Sequence, residues 1–150
     1  MGYNFGVGRE APTFTISAVD GNVINLKQYR GHWFAVLVFV PFEAADAGQA
    51  LEQLSAAADT IWGQRGQLLA ICDASPDDVK ALADGVEGLT FPLLPDDGKV
   101  AQAYGALEAD GRVRRMAFII DRAGKIVWSG EGASALTPAT LTGALRDIAR

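Results

Sequence analysis

Hydrophobic positions in the first half of the chain follow two different spacings. Trp33 to Val40 is a continuous apolar run rich in β-branched residues, which is typical of a strand covered on both faces. After Pro41 the apolar residues recur every three or four positions, as on one face of a helix. These positions are Leu51, Leu54, Ala58, Ile61 and Trp62. The pattern predicts a central strand followed by a long amphipathic helix that begins near Asp46.

Strand patterns on either side of this region predict a hairpin near each end of the chain. Residues 14–18 and 23–26 are joined through Asp20-Gly21-Asn22, and residues 115–120 and 125–129 are joined through Asp121-Arg122-Ala123-Gly124. Residues 67–72 and 91–94 read as further extended segments. Together with the central strand, these segments are enough for one sheet.

Helix signals fall between the later strands. Ser75 can cap a helix whose first residue is Pro76, and Asp97 can cap a short helix that Gly105 ends. Thr137-Pro138 opens a terminal helix. Its inward positions are Leu141, Leu145 and Ile148.

The order of these elements predicts an α/β fold, with a mixed sheet sandwiched between helices. A chain of 150 residues with 49% apolar and 21% charged residues can bury a substantial core. Neither a linker nor a repeat divides it. We therefore predict a single domain over residues 1–150.

Composition excludes several classes of function. The longest apolar stretch, residues 33–42, is far shorter than the roughly 20 residues of a membrane span, and no basic segment precedes an apolar one at the start of the chain. A net charge of −5 and a pI near 4.7 disfavour phosphate backbones. We expect a cytoplasmic protein that binds neither membranes nor nucleic acids.

The sequence also gives little support for a metal or a cofactor. One cysteine, Cys72, and one histidine, His32, can form neither an internal disulfide nor a metal cluster. No glycine-rich phosphate loop follows a strand. We predict no metal and no cofactor.

A series of short motifs identifies a family resemblance that runs from about Gly8 to Arg150. The motifs are Gly8-x-x-Ala11-Pro12-x-Phe14, Leu26-x-x-Tyr29-Arg30-Gly31, Val36-Leu37-Val38-Phe39-Val40-Pro41-Phe42, Phe91-Pro92-Leu93-Leu94, Ala103-Tyr104-Gly105 and Phe118-Ile119-Ile120-Asp121-Arg122-x-Gly124. In this order they resemble the peroxiredoxin (alkyl hydroperoxide reductase/thiol-specific antioxidant) family. The resemblance implies a thioredoxin-like fold, with a central mixed β-sheet flanked by helices and an N-terminal β-hairpin.

The chain departs from that family at the residues that carry its chemistry. The family places a Thr four residues and a Cys seven residues after the loop proline, and these positions are Ala45 and Gly48 here. If one residue is deleted, the cysteine position becomes Ala47 instead. Because only a thiolate attacks peroxide oxygen, neither alignment supplies the nucleophile. We therefore predict a degenerate active site without ordinary peroxidase turnover.

The resemblance nevertheless implies that a pocket is retained. Its residues would be Pro41, Phe42, Ala45, Ala47, Gly48 and Arg115. In the family an arginine from a distant strand lowers the pKa of the thiol, and Arg115 matches it. Without the thiolate, this cation and the N–H groups at the helix start would favour a small anionic ligand.

Internal pairing of these charges is the alternative to ligand binding. Asp46 or Glu43 can pair with Arg115, or Arg115 can simply face solvent. Asp46 and Gln49 also match a capping box, which would explain Asp46 without any chemistry.

Three functions remain open from the sequence. The first is a non-catalytic binding or regulatory module. The second is an enzyme whose cysteine-independent chemistry uses Phe42, Glu43, Asp46 and Arg115. The third is a thiol oxidoreductase that acts through Cys72, at the end of a predicted strand, although the adjacent Asp73 would raise the pKa of its thiol. The resemblance also implies a homodimer that pairs through the edge of this loop, with Phe42 in the shared interface.

Overall fold

The computed structural model describes residues 6–43 and 45–148, with helices and strands that alternate along the chain. Two short 3-10 turns, Leu26–Tyr29 and Ala133–Leu136, lie between them. In chain order the strands and helices are β1 (Thr15–Ser17), β2 (Val23–Asn25), β3 (Phe34–Val40), α1 (Ala47–Gly63), β4 (Gly66–Cys72), α2 (Pro76–Asp84), β5 (Leu93–Pro95), α3 (Lys99–Ala103), β6 (Met116–Ile120), β7 (Ile126–Glu131) and α4 (Pro138–Ile148).

The main sheet has five strands in the order β5-β4-β3-β6-β7, and β1 and β2 form a separate antiparallel hairpin. Strands β5, β4 and β3 run parallel, whereas β6 and β7 are antiparallel to their neighbours. This confirms the predicted mixed sheet, the central position of β3 and both hairpins.

Every residue of β3 is buried, because the core lies on both faces of the sheet. Val36, Val38 and Val40 share one apolar cluster with the inner faces of α1 and α4. Leu37 and Phe39 belong to the other cluster, with residues of the N-terminal hairpin and α3. Alternation along a strand sends successive side chains to opposite faces. The two layers therefore fix the carboxyl end of β3 and the loop that follows it.

Helix α1 begins one residue after Asp46, as predicted, but one residue of its predicted apolar face is wrong. The fully buried residues are Leu51, Leu54, Ala57 and Ile61. Trp62 is 56% exposed, and its ring stacks on Trp33 with 4.4 Å between centroids. The tryptophan lies beside the buried stripe at the end of the helix, so the ring packs on another surface aromatic residue instead of the core.

The predicted start of α2 is confirmed. Pro76 is its first residue, and the Ser75 hydroxyl oxygen accepts a hydrogen bond from the backbone N–H of Asp78 at 3.2 Å. Proline suits this position because its missing N–H would have no partner within the helix.

The predicted cap of α3 is wrong. Gly98 is the N-cap residue, and the buried carboxylate of Asp96 accepts hydrogen bonds from the N–H groups of Val100 and Ala101 at 3.2 and 3.1 Å. Asp97 accepts a bond only from the N–H of Lys99. The deeper carboxylate reaches the first turn because the chain enters the helix through a left-handed glycine.

No helix within the described part of the chain combines the length and the apolar character that a membrane crossing requires.

Candidate functional site

Strand pairing brings Arg115 to the loop after β3. Strands β3 and β6 are antiparallel, with Phe39 opposite Met116. The residue before Met116 therefore lies beside the end of β3, where the chain turns into the loop. The Arg115 backbone is held from the other side as well, because its carbonyl accepts a hydrogen bond from the N–H of Gly132 at 2.8 Å.

The guanidinium of Arg115 pairs with the carboxylate of Asp46. Its Nη2 donates a hydrogen bond to Asp46 Oδ1, and the two side chains are 21% and 51% exposed. The hydrogen bond from Arg115 is the main reason that the pKa of Asp46 lies below its ordinary value. The sequence left open whether Arg115 pairs with Asp46, pairs with Glu43 or faces solvent. The structure shows the ion pair with Asp46.

The capping-box prediction for Asp46 is wrong. Asp46 is the N-cap residue of α1, yet its side chain makes no capping hydrogen bond. A carboxylate turned toward Arg115 is directed away from the backbone N–H groups of the first turn, so a long-range partner replaces the local one.

Asp73 anchors the other end of the loop. It follows the last residue of β4, and its Oδ1 accepts a hydrogen bond from the backbone N–H of Phe42 at 2.8 Å. The Phe42 ring is partly buried against the core cluster beneath α1. Sequence reasoning treated Asp73 only as a neighbour of Cys72, although an acid directly after a buried parallel strand is a signal for the site edge.

Ala47 and Gly48, the two positions at which the resemblance would place the family's cysteine, both lie at the start of α1. Ala47 is buried, whereas Gly48 is partly exposed and Ala45 lies exposed in the loop. A Cβ built on Gly48 would have as its neighbour only Leu82 Cδ1, at 4.0 Å. A side chain would therefore fit at residue 48, but the chain has none there.

Cys72 is the last residue of β4 and is fully buried. In the sheet register it lies between Val40 of β3 and Pro95 of β5. Burial, followed by the charge of Asp73, raises the pKa of its thiol to about 12. A buried thiol of this kind is protonated at neutral pH, which disfavours it as a nucleophile.

The remaining candidates do not join this arrangement. Glu43 is exposed in the loop, and the structure gives it no ion pair within residues 6–43 and 45–148. His32 is exposed in the turn before β3, at the end opposite the loop, as predicted. No three His, Cys, Asp or Glu side chains of the described residues are grouped so as to hold a metal ion.

The site therefore combines a guanidinium, the start of a 17-residue helix and a carboxylate that already neutralises the guanidinium. Helix N-termini and arginines both attract anions. Within residues 6–43 and 45–148, this arrangement brings together a cation and a carboxylate that already pairs with it, and no thiol.

Comparison with known proteins places these features in context. The profile of the AhpC/TSA family matches residues 7–129. The chain is 36% identical to alkyl hydroperoxide reductase E of Mycobacterium tuberculosis (strain ATCC 25618 / H37Rv), over 80% of this chain and 81% of that protein. It is 35% identical, with the same coverage, to a second protein of that strain whose name describes it as a peroxiredoxin.

Solved structures show the same fold at lower identity. The AhpC of Enterococcus faecalis superposes with a TM-score of 0.84 at 17% identity, over 97% of this chain and 93% of that chain. The reduced 2-Cys peroxiredoxin of Plasmodium vivax gives 0.81 at 22% identity, over 95% and 96%. These likenesses confirm the predicted thioredoxin-like fold, with its mixed central sheet, flanking helices and N-terminal hairpin.

Proposed function

Because this chain belongs to the AhpC/TSA peroxiredoxin family, we propose that it is a member without thiol peroxidase activity, whose site around Arg115 binds a small anion. The observation that carries the proposal is the pairing of Arg115 with Asp46 beside a loop that contains no sulfur.

The loss of peroxidase activity follows from the chemistry that the reaction needs. A peroxide O–O bond is broken by attack of a thiolate, and positions 45, 47 and 48 carry Ala, Ala and Gly. Cys72 is the only sulfur nucleophile in the chain, and it is buried in the core with a raised pKa. Loss of a covalent nucleophile leaves only binding and electrostatics to act on a substrate.

Anion binding follows from the groups that remain. Arg115 presents a fixed, permanently charged fork of N–H donors, which suits carboxylate and phosphate oxygens. The Asp46 carboxylate supplies such an oxygen from within the chain. An external anion therefore has to compete with Asp46, and the exposure of Asp46 gives it room to move aside.

Binding is favoured over cysteine-independent catalysis by the charge state of Asp46. Its lowered pKa keeps the carboxylate ionised at neutral pH, so it is a poor general acid. Its Oδ1 accepts a hydrogen bond from the guanidinium, which also makes the carboxylate a weaker base.

Isothermal titration calorimetry with inorganic phosphate and with benzoate tests the proposal. We expect Arg115→Gln to weaken binding by about tenfold or more, because a hydrogen bond to a charged group is lost. Asp46→Asn should strengthen binding, because it removes the internal competitor. Arg112→Gln is the matched control, since Arg112 is an exposed cation that pairs with Asp110.

The proposal is wrong if neither anion binds to the wild-type protein or to Asp46→Asn. It is equally wrong if Arg115→Gln and Arg112→Gln weaken binding to the same extent, because the effect would then be one of general charge.

A further inference from the structure

A groove of about 990 Å³ lies beside the N-terminal hairpin, apart from the site around Arg115. Residues 12–16 form one wall, and the segment from Pro95 to Tyr104 forms the other. Asp46 and Arg115 do not line it. Its size is at the upper end of the roughly 300–1,000 Å³ of small-molecule pockets, so it can also take a longer, extended ligand.

One wall of the groove is the free edge of a strand. The N–H of Ala18 donates a hydrogen bond to the carbonyl of Asn22 at 2.8 Å, and the N–H of Leu26 donates to the carbonyl of Phe14 at 3.1 Å. The backbone N–H and C=O groups of the even-numbered residues of this strand therefore face β2. Hydrogen-bonded and non-hydrogen-bonded pairs alternate in an antiparallel ladder. The backbone N–H and C=O groups of Thr15 therefore point to the opposite edge.

This edge is joined to β5 near Val19. Val19 N–H donates to the carbonyl of Leu93 at 3.2 Å. Toward Thr13 the groove lies between this edge and the segment that begins at Pro95. The backbone of Thr13 has no backbone hydrogen bond within the described ranges 6–43 and 45–148. An unpaired edge of this kind is a template for another extended chain.

The buried polar groups of the groove are already used within the protein. The Tyr104 hydroxyl donates to the carbonyl of Pro12 at 2.6 Å, which ties the two walls together. The Asp96 carboxylate caps α3. The two walls are thus tied together, and the strand edge offers further backbone groups that a ligand can bind.

The charges and the apolar residues that line the groove indicate which class of ligand it can bind. Three carboxylates, Asp73, Asp96 and Asp97, line the groove against one ammonium group, that of Lys99. Lys99 Nζ itself lies 3.6 Å from Asp97 Oδ2. The rest of the lining is largely apolar, and it includes Phe14, Val100, Leu107 and Val113. The excess of negative charge favours a basic ligand.

We propose that this groove binds an extended, basic peptide segment of a partner protein, which adds as a strand to the free edge at Thr13 and Thr15. Alternate side chains of such a peptide would pack on the apolar lining, and its basic side chains would lie near Asp73 and Asp97. Side chains of an added strand alternate between two faces, so a peptide that alternates basic and apolar residues fits best.

Fluorescence anisotropy with three labelled heptapeptides tests this proposal on the full chain. The first peptide alternates lysine and valine, the second alternates glutamate and valine, and the third is the first with all of its backbone amide nitrogens methylated. We expect saturable binding of the first peptide only, because the second has the wrong charge and the third cannot donate strand hydrogen bonds.

Variants of the protein test whether the peptide binds in the groove. Thr15→Pro removes an N–H that the β1–β2 pairing does not use, and it should abolish binding. Asp97→Asn should weaken binding by up to about fivefold, as expected for an exposed charge pair. Asp84→Asn is the matched control, because it removes the same charge from α2 outside the groove, and it should leave the affinity unchanged.

Several results would overturn the proposal. They are equal binding of the methylated peptide, equal binding of the glutamate peptide, no binding of the lysine peptide at millimolar concentration, or equal effects of Asp97→Asn and Asp84→Asn. Sedimentation of the wild type and Thr15→Pro adds a further outcome. If Thr15→Pro converts a dimer to a monomer, a second copy of the chain occupies the groove and the peptide proposal is wrong.

Discussion

The carboxyl group of Asp46 has a low pKa because Arg115 donates a hydrogen bond to it. A group whose pKa is lower in the folded state stabilises the fold above its unfolded pKa, which is 3.8 for an ordinary Asp. That stabilisation disappears as the pH falls through the lowered, folded-state pKa.

The pH dependence of stability therefore has a definite sign. We expect wild type to be more stable than Asp46→Asn in urea unfolding at pH 7, and the difference in the free energy of unfolding should shrink as the pH falls from about 5 to about 2. The effect is small, because Asp46 is half exposed. A difference that stays constant over this range would show that the charge of Asp46 does not stabilise the fold.

Cys72 provides the second prediction at this scale. Its thiol is buried, and its pKa is raised to about 12. We expect Ellman's reagent at pH 8 to modify the native protein at least about a hundredfold more slowly than the protein unfolded in guanidinium chloride. Similar rates in the two conditions would mean that the sulfur is accessible, and the thiol oxidoreductase hypothesis would regain support.

At the scale of elements, two glycines differ in the space that surrounds them. A Cβ on Gly66 would lie 2.8 Å from Leu145 Cδ2 and 2.9 Å from Ile61 Cγ2, where α4 and α1 pack on the start of β4. A Cβ on Gly48, in the first turn of α1, meets nothing closer than 4.0 Å.

Alanine at these two positions should therefore have opposite effects. We expect Gly66→Ala to lower the free energy of unfolding by about 1–3 kcal/mol, because the core is overpacked. Gly48→Ala should raise it by up to about 1 kcal/mol, because alanine has the higher helix propensity. Urea unfolding measures both. A stabilised Gly66→Ala would contradict the packing of α1 and α4 on β4.

The elements also show which features a sequence can predict. Strand β3 and helix α1 follow from a continuous apolar run and from a helical spacing, since both signals are local. The exposure of Trp62 was predicted wrongly and the capping by Asp96 was missed, while for Asp46 the sequence left a capping box and a pair with Arg115 both open. Each depends on a partner or a backbone turn that no local pattern encodes: Trp33 for the first, the left-handed Gly98 for the second and Arg115 for the third.

At the scale of the whole molecule, topology assembles the site. The antiparallel neighbour of β3 brings Arg115 to the loop, and its parallel neighbour brings Asp73. Arg115 could be predicted because the family resemblance marks its position. Asp73 was missed: its place directly after a buried strand is a signal for the edge of the site, but its contact with Phe42 follows only from the sheet order.

The same topology connects the two proposed binding regions. Asp73 holds the loop through the Phe42 N–H and also lines the groove beside the hairpin. Both regions thus lie at the carboxyl ends of the parallel strands, where sites of open α/β sheets are usually found. Both proposals therefore place ligands at the same edge of the sheet, on a framework that the chain shares with its family.

The most direct test of this account is the consumption of hydrogen peroxide and cumene hydroperoxide with dithiothreitol as the reductant. Wild type, Cys72→Ala and the double variant Ala45→Thr/Gly48→Cys are compared, the last as the form that carries Thr and Cys where the resemblance would place them. We predict that wild type and Cys72→Ala consume peroxide no faster than dithiothreitol alone. Sustained turnover by the wild-type protein would contradict the account, whether or not it survives in Cys72→Ala.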